Sequence, residues 1–241
     1  MTEQVGLAAV RTAADPAAEQ HVLDRPVPAS LAGAHARFAR RLGRAVRYDP
    51  EVAPFVALDD PADPRAWRDV AELLGPGERL SVQGLSEWPP EWAAVFSAEG
   101  VQMVGHGVRP LSDPEAVVLG PADVPEILEL IARTEPGPFL PRTVELGSYL
   151  GIRRDGVLVA MAGERLRPPG WTEISAVCTL PEYRGQGLAG RLIRAVAAGI
   201  AARGETPLLH ALASNTNAVR LYRGLGFELR RTVRFTQLER A

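Results

Sequence analysis

The sequence has 241 residues, of which 46% are hydrophobic and 23% charged, and its formal net charge at pH 7 is −2. All 27 basic residues are arginine, which excludes Schiff-base chemistry and a Walker-type phosphate loop because both need a lysine amine. One cysteine, Cys178, excludes an internal disulfide, and the histidines lie too far apart in sequence to support a metal site.

The first residues of the chain interrupt their apolar stretches with charge, so the sequence predicts neither a signal peptide nor a membrane span. No basic run with interleaved aromatic residues indicates a nucleic-acid groove. We therefore expect a cytoplasmic protein without a nucleic-acid or membrane partner. The sequence predicts no particular oligomeric state.

Elements of both types alternate in the first half. Helices are predicted at 31–41, 64–74 and 90–99, and strands at 44–48, 54–58, 79–83 and 101–108. Two prolines and two turn-forming residues at 109–114 predict a boundary. We accordingly divide the chain into a smaller mixed α/β domain at 1–110 and a second domain at 111–241.

In the second half, strands are predicted at 116–119, 146–153, 157–164, 172–180, 208–213 and 227–238. Helices are predicted at 123–133, 188–202 and 217–223. The pair Asp155-Gly156 is typical of a tight hairpin turn, which indicates antiparallel strands on either side of it.

The loop between the strand at 172–180 and the helix at 188–202 reads Arg184-Gly185-Gln186-Gly187-Leu188-Ala189-Gly190. Free backbone N–H groups and the helix dipole at such a site favour an anion, and a pyrophosphate fits. The three glycines also match the dinucleotide pattern, but the preceding hairpins and the lack of an acidic residue at the end of the next strand disfavour that interpretation. A glycine turn without a ligand is the other alternative.

A second motif, Asn215 to Phe227, follows at the end of the chain and contains Ala218, Leu221-Tyr222 and Leu225-Gly226-Phe227. Together the two motifs resemble those of the GNAT superfamily of acyl-CoA-dependent N-acyltransferases, and the resemblance spans roughly residues 115–240. The segments at 134–139 and 160–165 resemble predicted bacterial acetyltransferases related to glycine N-acyltransferases. The resemblance implies an α/β (α+β) fold with a mixed, largely antiparallel sheet flanked by helices. The N-terminal domain resembles a degenerate half of that fold and has no glycine loop, so no CoA site is expected there.

The resemblance also implies a reaction and the residues that perform it. Acetyl-CoA is the cosubstrate, no metal takes part, and a small-molecule or peptide amine attacks the thioester directly. CoA contacts are implied for Cys178, Thr179, Leu180, Arg184, Gly185, Gln186, Gly187, Leu188, Ala189, Gly190 and Asn215. Tyr222 is implied as the general acid for the CoA thiolate, which a hydroxyl with a pKa near 10 is able to protonate. A packed tyrosine at a helix–sheet contact is the alternative.

Candidates for the base come from the residues themselves. Glu173 and Glu164 lie on adjacent predicted strands, and strand alternation predicts that Glu173 shares a face with Val177 and Thr179. We take Glu173 as the candidate base, while a solvated or ion-paired strand glutamate is the alternative. His210 on a buried strand is expected to be a satisfied core residue, and Cys178 has no activating partner in sequence.

Acceptor binding is less constrained by the sequence. The loop at 136–141, with Trp88 and Trp92, borders an acceptor pocket in one interpretation, and exposed loop packing is the alternative. The competing function is a catalytically silent acyl-CoA-binding or regulatory module, which would keep the glycine loop without an effective acid.

Overall fold

The structure is a computed structural model that describes residues 21–240. The sequence predicts no signal peptide at the start of the chain, and most of that segment lies outside the described residues. None of the helices within 21–240 is long and apolar enough to cross a membrane. The helices are α1 (Pro26–Ala32), α2 (Pro64–Leu73), α3 (Val124–Thr134), α4 (Leu188–Ala202) and α5 (Thr216–Gly224).

The strands form two sheets. They are β1 (Ala39–Leu42), β2 (Ala45–Tyr48), β3 (Val56–Leu58), β4 (Leu80–Gln83), β5 (Trp92–Val104), β6 (Val117–Leu119), β7 (Tyr149–Arg154), β8 (Val157–Glu164), β9 (Trp171–Thr179), β10 (Thr206–Leu212) and β11 (Glu228–Arg240). A small sheet has the order β1-β2-β3, and a large sheet has the order β4-β11-β5-β10-β9-β8-β7-β6. Within the large sheet β9 and β10 are parallel, and the other neighbouring pairs are antiparallel. The predicted mixed, largely antiparallel α/β fold is confirmed.

The large sheet crosses the predicted domain boundary at residue 110. Strands β4 and β5 lie before that boundary, yet β5 pairs with β10 on one side and with β11 on the other. The smaller sheet β1-β2-β3 and helix α2 pack on one end of the large sheet. Their shared core contains Trp67 of α2 and Trp92 of β5, with ring centroids 5.7 Å apart. The division into two domains stays a prediction.

The predicted elements of the second half agree closely with the structure. Helix α4 has the predicted bounds, and its stripe of apolar side chains at three-to-four spacing is buried against strands β7 to β10. Strand β8 likewise has the predicted bounds, because the hairpin turn before it and the alternation within it are strong local signals. Gly156 occupies the left-handed region at φ 82°, as that turn requires.

Two predictions in the first half are wrong. The segment 90–99 is not a helix but the start of the long strand β5, and its residues from Trp92 pair with β11. The helix predicted at 31–41 ends at Ala32 and begins earlier, since Pro26 supplies the preset φ of a first helical turn. Its second half is β1, paired with β2.

A close backbone contact fixes the turn that enters β11. Gly226 has φ 101°, and a β-carbon at this position would collide with the backbone of Gly107. We expect Gly226→Ala to reduce the free energy of unfolding by about 2 kcal/mol or more, from left-handed strain and the collision together. Gly224→Ala is the control, because no atom lies within 4 Å of an added β-carbon there. Equal urea denaturation midpoints for the two variants would contradict the expectation.

Candidate active site

The centre of the large sheet is open between two strands. Strands β9 and β10 pair only through Trp171–Glu173 and Thr206–Leu208, after which β9 runs on to Thr179 and β10 to Leu212 without pairing to each other. Backbone groups on the facing edges are therefore available to a ligand that enters the wedge. The strands pair at one end of this wedge, which we call the closed end.

A bulge in β9 lies beside the wedge. Gly163 pairs with Ser175 and Met161 pairs with Cys178, so β9 carries one residue more than β8 between these pairs. Ala176 occupies the left-handed region at φ 52°, which is uncommon for a residue with a β-carbon. The extra residue ends simple alternation, so the prediction that the side chains of Val177 and Thr179 share the face of Glu173 is wrong.

A cavity of about 540 Å³ fills the wedge and extends beyond it. Its lining includes the side of β9 at Val177–Thr179, the end of β10, and residues 134–138 after α3. Pro136, Gly137 and Pro138 of the predicted loop thus line the cavity, and a role of the loop in an acceptor pocket stays a prediction. Trp92 is only 4% exposed and Trp88 packs against the same core cluster, and neither lines the cavity.

The glycine loop lies at the open end of the wedge. Gly185 and Gly187 have φ values of 79° and 76°, and an added β-carbon at either would meet no atom within 4 Å. Among residues 21–240 no backbone carbonyl or side chain accepts from the amides at 185–190, and the first turn of α4 carries no acidic residue. Arg184 lines the cavity, and its Nε donates to the Thr179 carbonyl oxygen at 3.2 Å. The loop thus offers consecutive free N–H groups at the start of a helix of 15 residues.

The other predicted CoA contacts divide between the cavity and the core. Cys178, Thr179, Ala189 and Asn215 line the cavity with Arg184. The Thr179 hydroxyl is buried and has no hydrogen-bond partner among the described residues. The Leu180 backbone is already used: its amide donates to Val159 at 2.9 Å and its carbonyl oxygen accepts from Tyr183 at 2.9 Å.

Helix α5 brings Tyr222 to the cavity. Asn215 caps this helix, since its side-chain oxygen accepts from the Ala218 amide at 3.1 Å. Tyr222 lines the cavity at 8% exposure, and its hydroxyl makes no hydrogen bond with any described residue. Burial raises the pKa of Tyr222 to about 12. The hydroxyl is therefore protonated at neutral pH and has no competing partner within 21–240.

The predicted base, Glu173, is instead fully buried behind the cavity wall. Its carboxylate accepts from Arg165 at 2.9 and 2.6 Å and lies 2.7 Å from His210 Nδ1. Burial alone would raise the pKa of Glu173, but the charge of Arg165 and the hydrogen bonds from Arg165 and His210 hold it well below its usual range. A carboxylate held ionised in this way is a weak proton acceptor, so the geometry argues against Glu173 as the base.

The remaining candidates are also engaged. Glu164 accepts from Arg203 at 2.9 Å and does not line the cavity. Both ring nitrogens of His210 have partners, as expected for a satisfied core histidine. Burial raises the pKa of Cys178 to about 11, so its thiol is a poor nucleophile at neutral pH.

Comparison with known proteins identifies the family. Residues 149–236 match the family model described as FR47-like protein. The chain is 34% identical over 131 residues to N-alpha-acetyltransferase RimI of Mycobacterium tuberculosis, a match that covers 48% of this chain and 82% of that protein. The chain belongs to the GNAT family of acetyltransferases.

Solved structures agree with this membership. A protein of Novosphingobium aromaticivorans, described as belonging to the GNAT family, is 45% identical with a TM-score of 0.85, over 92% of this chain and 100% of that one. A GCN5-related N-acetyltransferase from Kribbella flavida shares the fold at 21% identity and a TM-score of 0.56, over 88% of this chain and 95% of that one. The similarity of this GNAT chain to the Novosphingobium aromaticivorans protein therefore extends over most of its length.

Part of the cavity of this GNAT family member comes from residues that the sequence did not single out. Phe55 and the segment 81–83 precede the predicted boundary, yet they line the cavity. They reach it because Phe55 bridges to Ser81 and β4 pairs with β11. Arg165 also lines it, directly after β8. No local motif marks Phe55 or the segment 81–83, which only the pairing of distant strands brings to the cavity. Arg165 ends the segment 160–165, whose family resemblance gave it no role in the site.

Proposed function

We propose that the protein transfers an acetyl group from acetyl-CoA to an amine. The observation that carries the proposal is the wedge between β9 and β10, which has free amides of the glycine loop at its open end and Tyr222 in its cavity. A CoA pyrophosphate fits the loop at Arg184–Gly190, and the unpaired edge of β9 fits the amide groups of the pantetheine arm. The thioester then points towards the closed end of the wedge.

In this proposal the amine attacks the thioester carbonyl directly. The carbon–sulfur bond breaks as the new carbon–nitrogen bond forms, and Tyr222 donates its proton to the departing thiolate. Glu173 takes no proton, because Arg165 and His210 hold it ionised. The protonated nitrogen of the adduct loses its proton to water, and water returns a proton to the Tyr222 phenolate. Glu173 serves to position the residues it binds.

The acceptor in this proposal is an α-amine of a small molecule or a peptide. The name of the Mycobacterium tuberculosis relative, an N-alpha-acetyltransferase, supports an α-amine. Residues 111–241 would carry the chemistry, and Phe55 and the segment 81–83 of the predicted first domain would border the acceptor, in a cytoplasmic protein.

Binding of acetyl-CoA is the first test. At a concentration 100 times its dissociation constant, acetyl-CoA should stabilise the protein by about 2.7 kcal/mol, which raises Tm by roughly 5–10 °C for a chain of this size. Arg184→Ala should reduce that shift, whereas Arg133→Ala, which removes an exposed ion pair with Glu182, should leave it unchanged. No shift at millimolar acetyl-CoA would refute the proposal.

Release of free CoA with an amine panel is the second test. Acetylation of lysine side chains on the enzyme itself cannot contribute, since the sequence has none. Acetyl-CoA binding without turnover of any amine would indicate a silent acyl-CoA-binding module instead.

A further inference from the structure

One side of the cavity is aromatic. Phe55 and Phe235 lie near the Arg165–Glu173 pair, since the Arg165 guanidinium lies 5.1 Å from the Phe55 ring and the Phe235 ring lies 6.0 Å from that of His210. Phe96 and Thr236 line the cavity farther along β5 and β11, and we call Phe55, Phe96, Phe235, Arg165 and Thr236 the acceptor wall. Arg165 marks the closed end, because it binds Glu173 at the last paired position of β9. A CoA thioester that enters from the glycine loop would face this wall.

Arg165 keeps unused hydrogen-bond donors at this wall. Its Nε and Nη2 donate to Glu173 at 2.9 and 2.6 Å, and its guanidinium stacks over the Phe55 ring at 5.1 Å. Nη1 makes no hydrogen bond with any described residue, although the side chain is 12% exposed and lines the cavity. A guanidinium has five N–H groups, so the remaining donors are free for a ligand oxygen.

A chain of buried hydrogen bonds fixes the direction of this guanidinium. Glu173 is held by His210, and His210 Nε2 lies 3.0 Å from Gln102 Nε2. Arg230 donates to Gln102 Oε1 at 2.7 Å, so the amide nitrogen of Gln102 must face His210. His210 therefore carries its proton on Nδ1 and donates to Glu173. Arg165 is thus aligned before any ligand arrives, which lowers the entropic cost of binding.

The charges at the wall select against polycations. Glu135 is the one carboxylate among the described residues that line the cavity, and it lies on the loop after α3 rather than in the acceptor wall. A second ammonium group at the wall would therefore meet Arg165 without a carboxylate partner.

Resting on the function proposed above, we propose that Arg165 selects the acceptor by binding an oxygen next to its amine. The acceptor class is an α-amino compound with an apolar side chain, whose carbonyl or carboxylate oxygen accepts from Nη1 while the phenylalanines pack against the side chain. A free amino acid and a peptide N-terminus share this chemistry. Polyamines and simple alkyl amines lack this oxygen next to the amine.

The test compares kcat/KM of the full chain for phenylalaninamide, free phenylalanine, phenethylamine and spermidine. With kcat/KM expressed per concentration of neutral amine, we expect phenylalaninamide or phenylalanine to exceed phenethylamine by about 10- to 100-fold, as for loss of one hydrogen bond to a charged group. Preference for the amide indicates a peptide N-terminus, and preference for phenylalanine a free amino acid. Equal use of phenethylamine, or better use of spermidine, would overturn the inference and leave the acetyltransferase proposal intact. Acetyl-CoA binding without turnover of any amine would overturn both.

A double variant separates the recognition of the acceptor oxygen by Arg165 from the effect of amine basicity on the rate. Arg165→Met with Glu173→Gln removes both charges of the pair, so no buried charge is left alone. Its ratio of kcat/KM for the oxygen-bearing amine over phenethylamine should fall to near one, mainly through a higher KM of the former. Arg203→Met with Glu164→Gln removes a comparable pair away from the cavity and should keep the wild-type ratio. An unchanged ratio in the Arg165 variant would contradict the assignment.

Discussion

Replacing Tyr222 with phenylalanine is expected to lower kcat for acetyl transfer by at least about 100-fold, the range that loss of a positioned general acid produces. The hydroxyl has no hydrogen-bond partner among the described residues, so its removal should leave the fold intact. The Kd of acetyl-CoA should change little, because the glycine loop is untouched. The loss in kcat is measured from the free CoA thiol that is released at fixed times, and the buried thiol of Cys178 contributes little background to this assay.

The pH dependence distinguishes a proton donor from a packed ring. The pKa of Tyr222 is raised to about 12, so wild-type activity should rise as the amine loses its proton and should not fall again up to about pH 10. Above about pH 8.5 a thiolate is stable without a proton, so the deficit of Tyr222→Phe should shrink there. Tyr183→Phe is the control, since Tyr183 packs against the same core but does not line the cavity. A deficit that is constant with pH would contradict the role as acid.

The sequence predicts the glycine-loop side of the cavity well and the side that we propose for the acceptor, which we call the acceptor side, poorly. The glycine loop, Asn215 and Tyr222 lie within one continuous run of strand, helix, strand and helix, where local pattern fixes the geometry. The free amides at 185–190 follow from two left-handed glycines and a helix start, all of which are visible in the sequence.

The acceptor side depends on contacts between distant segments. The sequence predicts a helix at 90–99, but pairing with β11 makes the residues from Trp92 the first part of strand β5. Glu173 illustrates the same limit of prediction from sequence for a single residue. Its place on a strand could be predicted, but the convergence of Arg165 and His210 on it could not, because those residues approach from β8 and β10.

The largest stability effect is expected for Glu173→Gln. This change leaves the buried Arg165 guanidinium without its counter-ion, which should cost about 3–5 kcal/mol in the free energy of unfolding. The double variant Arg165→Met with Glu173→Gln should recover much of that loss, since it buries no unpaired charge. Glu182→Gln removes only an exposed pair with Arg133 and should leave the urea midpoint unchanged. A wild-type midpoint for Glu173→Gln would mean that the buried pair contributes nothing.

The same carboxylate predicts how stability depends on acid. The folded protein holds the pKa of Glu173 below its value in the unfolded chain, about 4.3, so its contribution is complete above that pH and is lost as the pH falls below it. Glu173→Gln should therefore weaken the loss of stability below about pH 4.

The pH dependence of the rate separates this role of Glu173 from that of a general base. A general base would place an acidic limb in the pH–rate profile at its own pKa. Because Glu173 is ionised throughout the range in which the protein is folded and active, the acidic limb should follow the pKa of the acceptor amine and shift when the amine is changed.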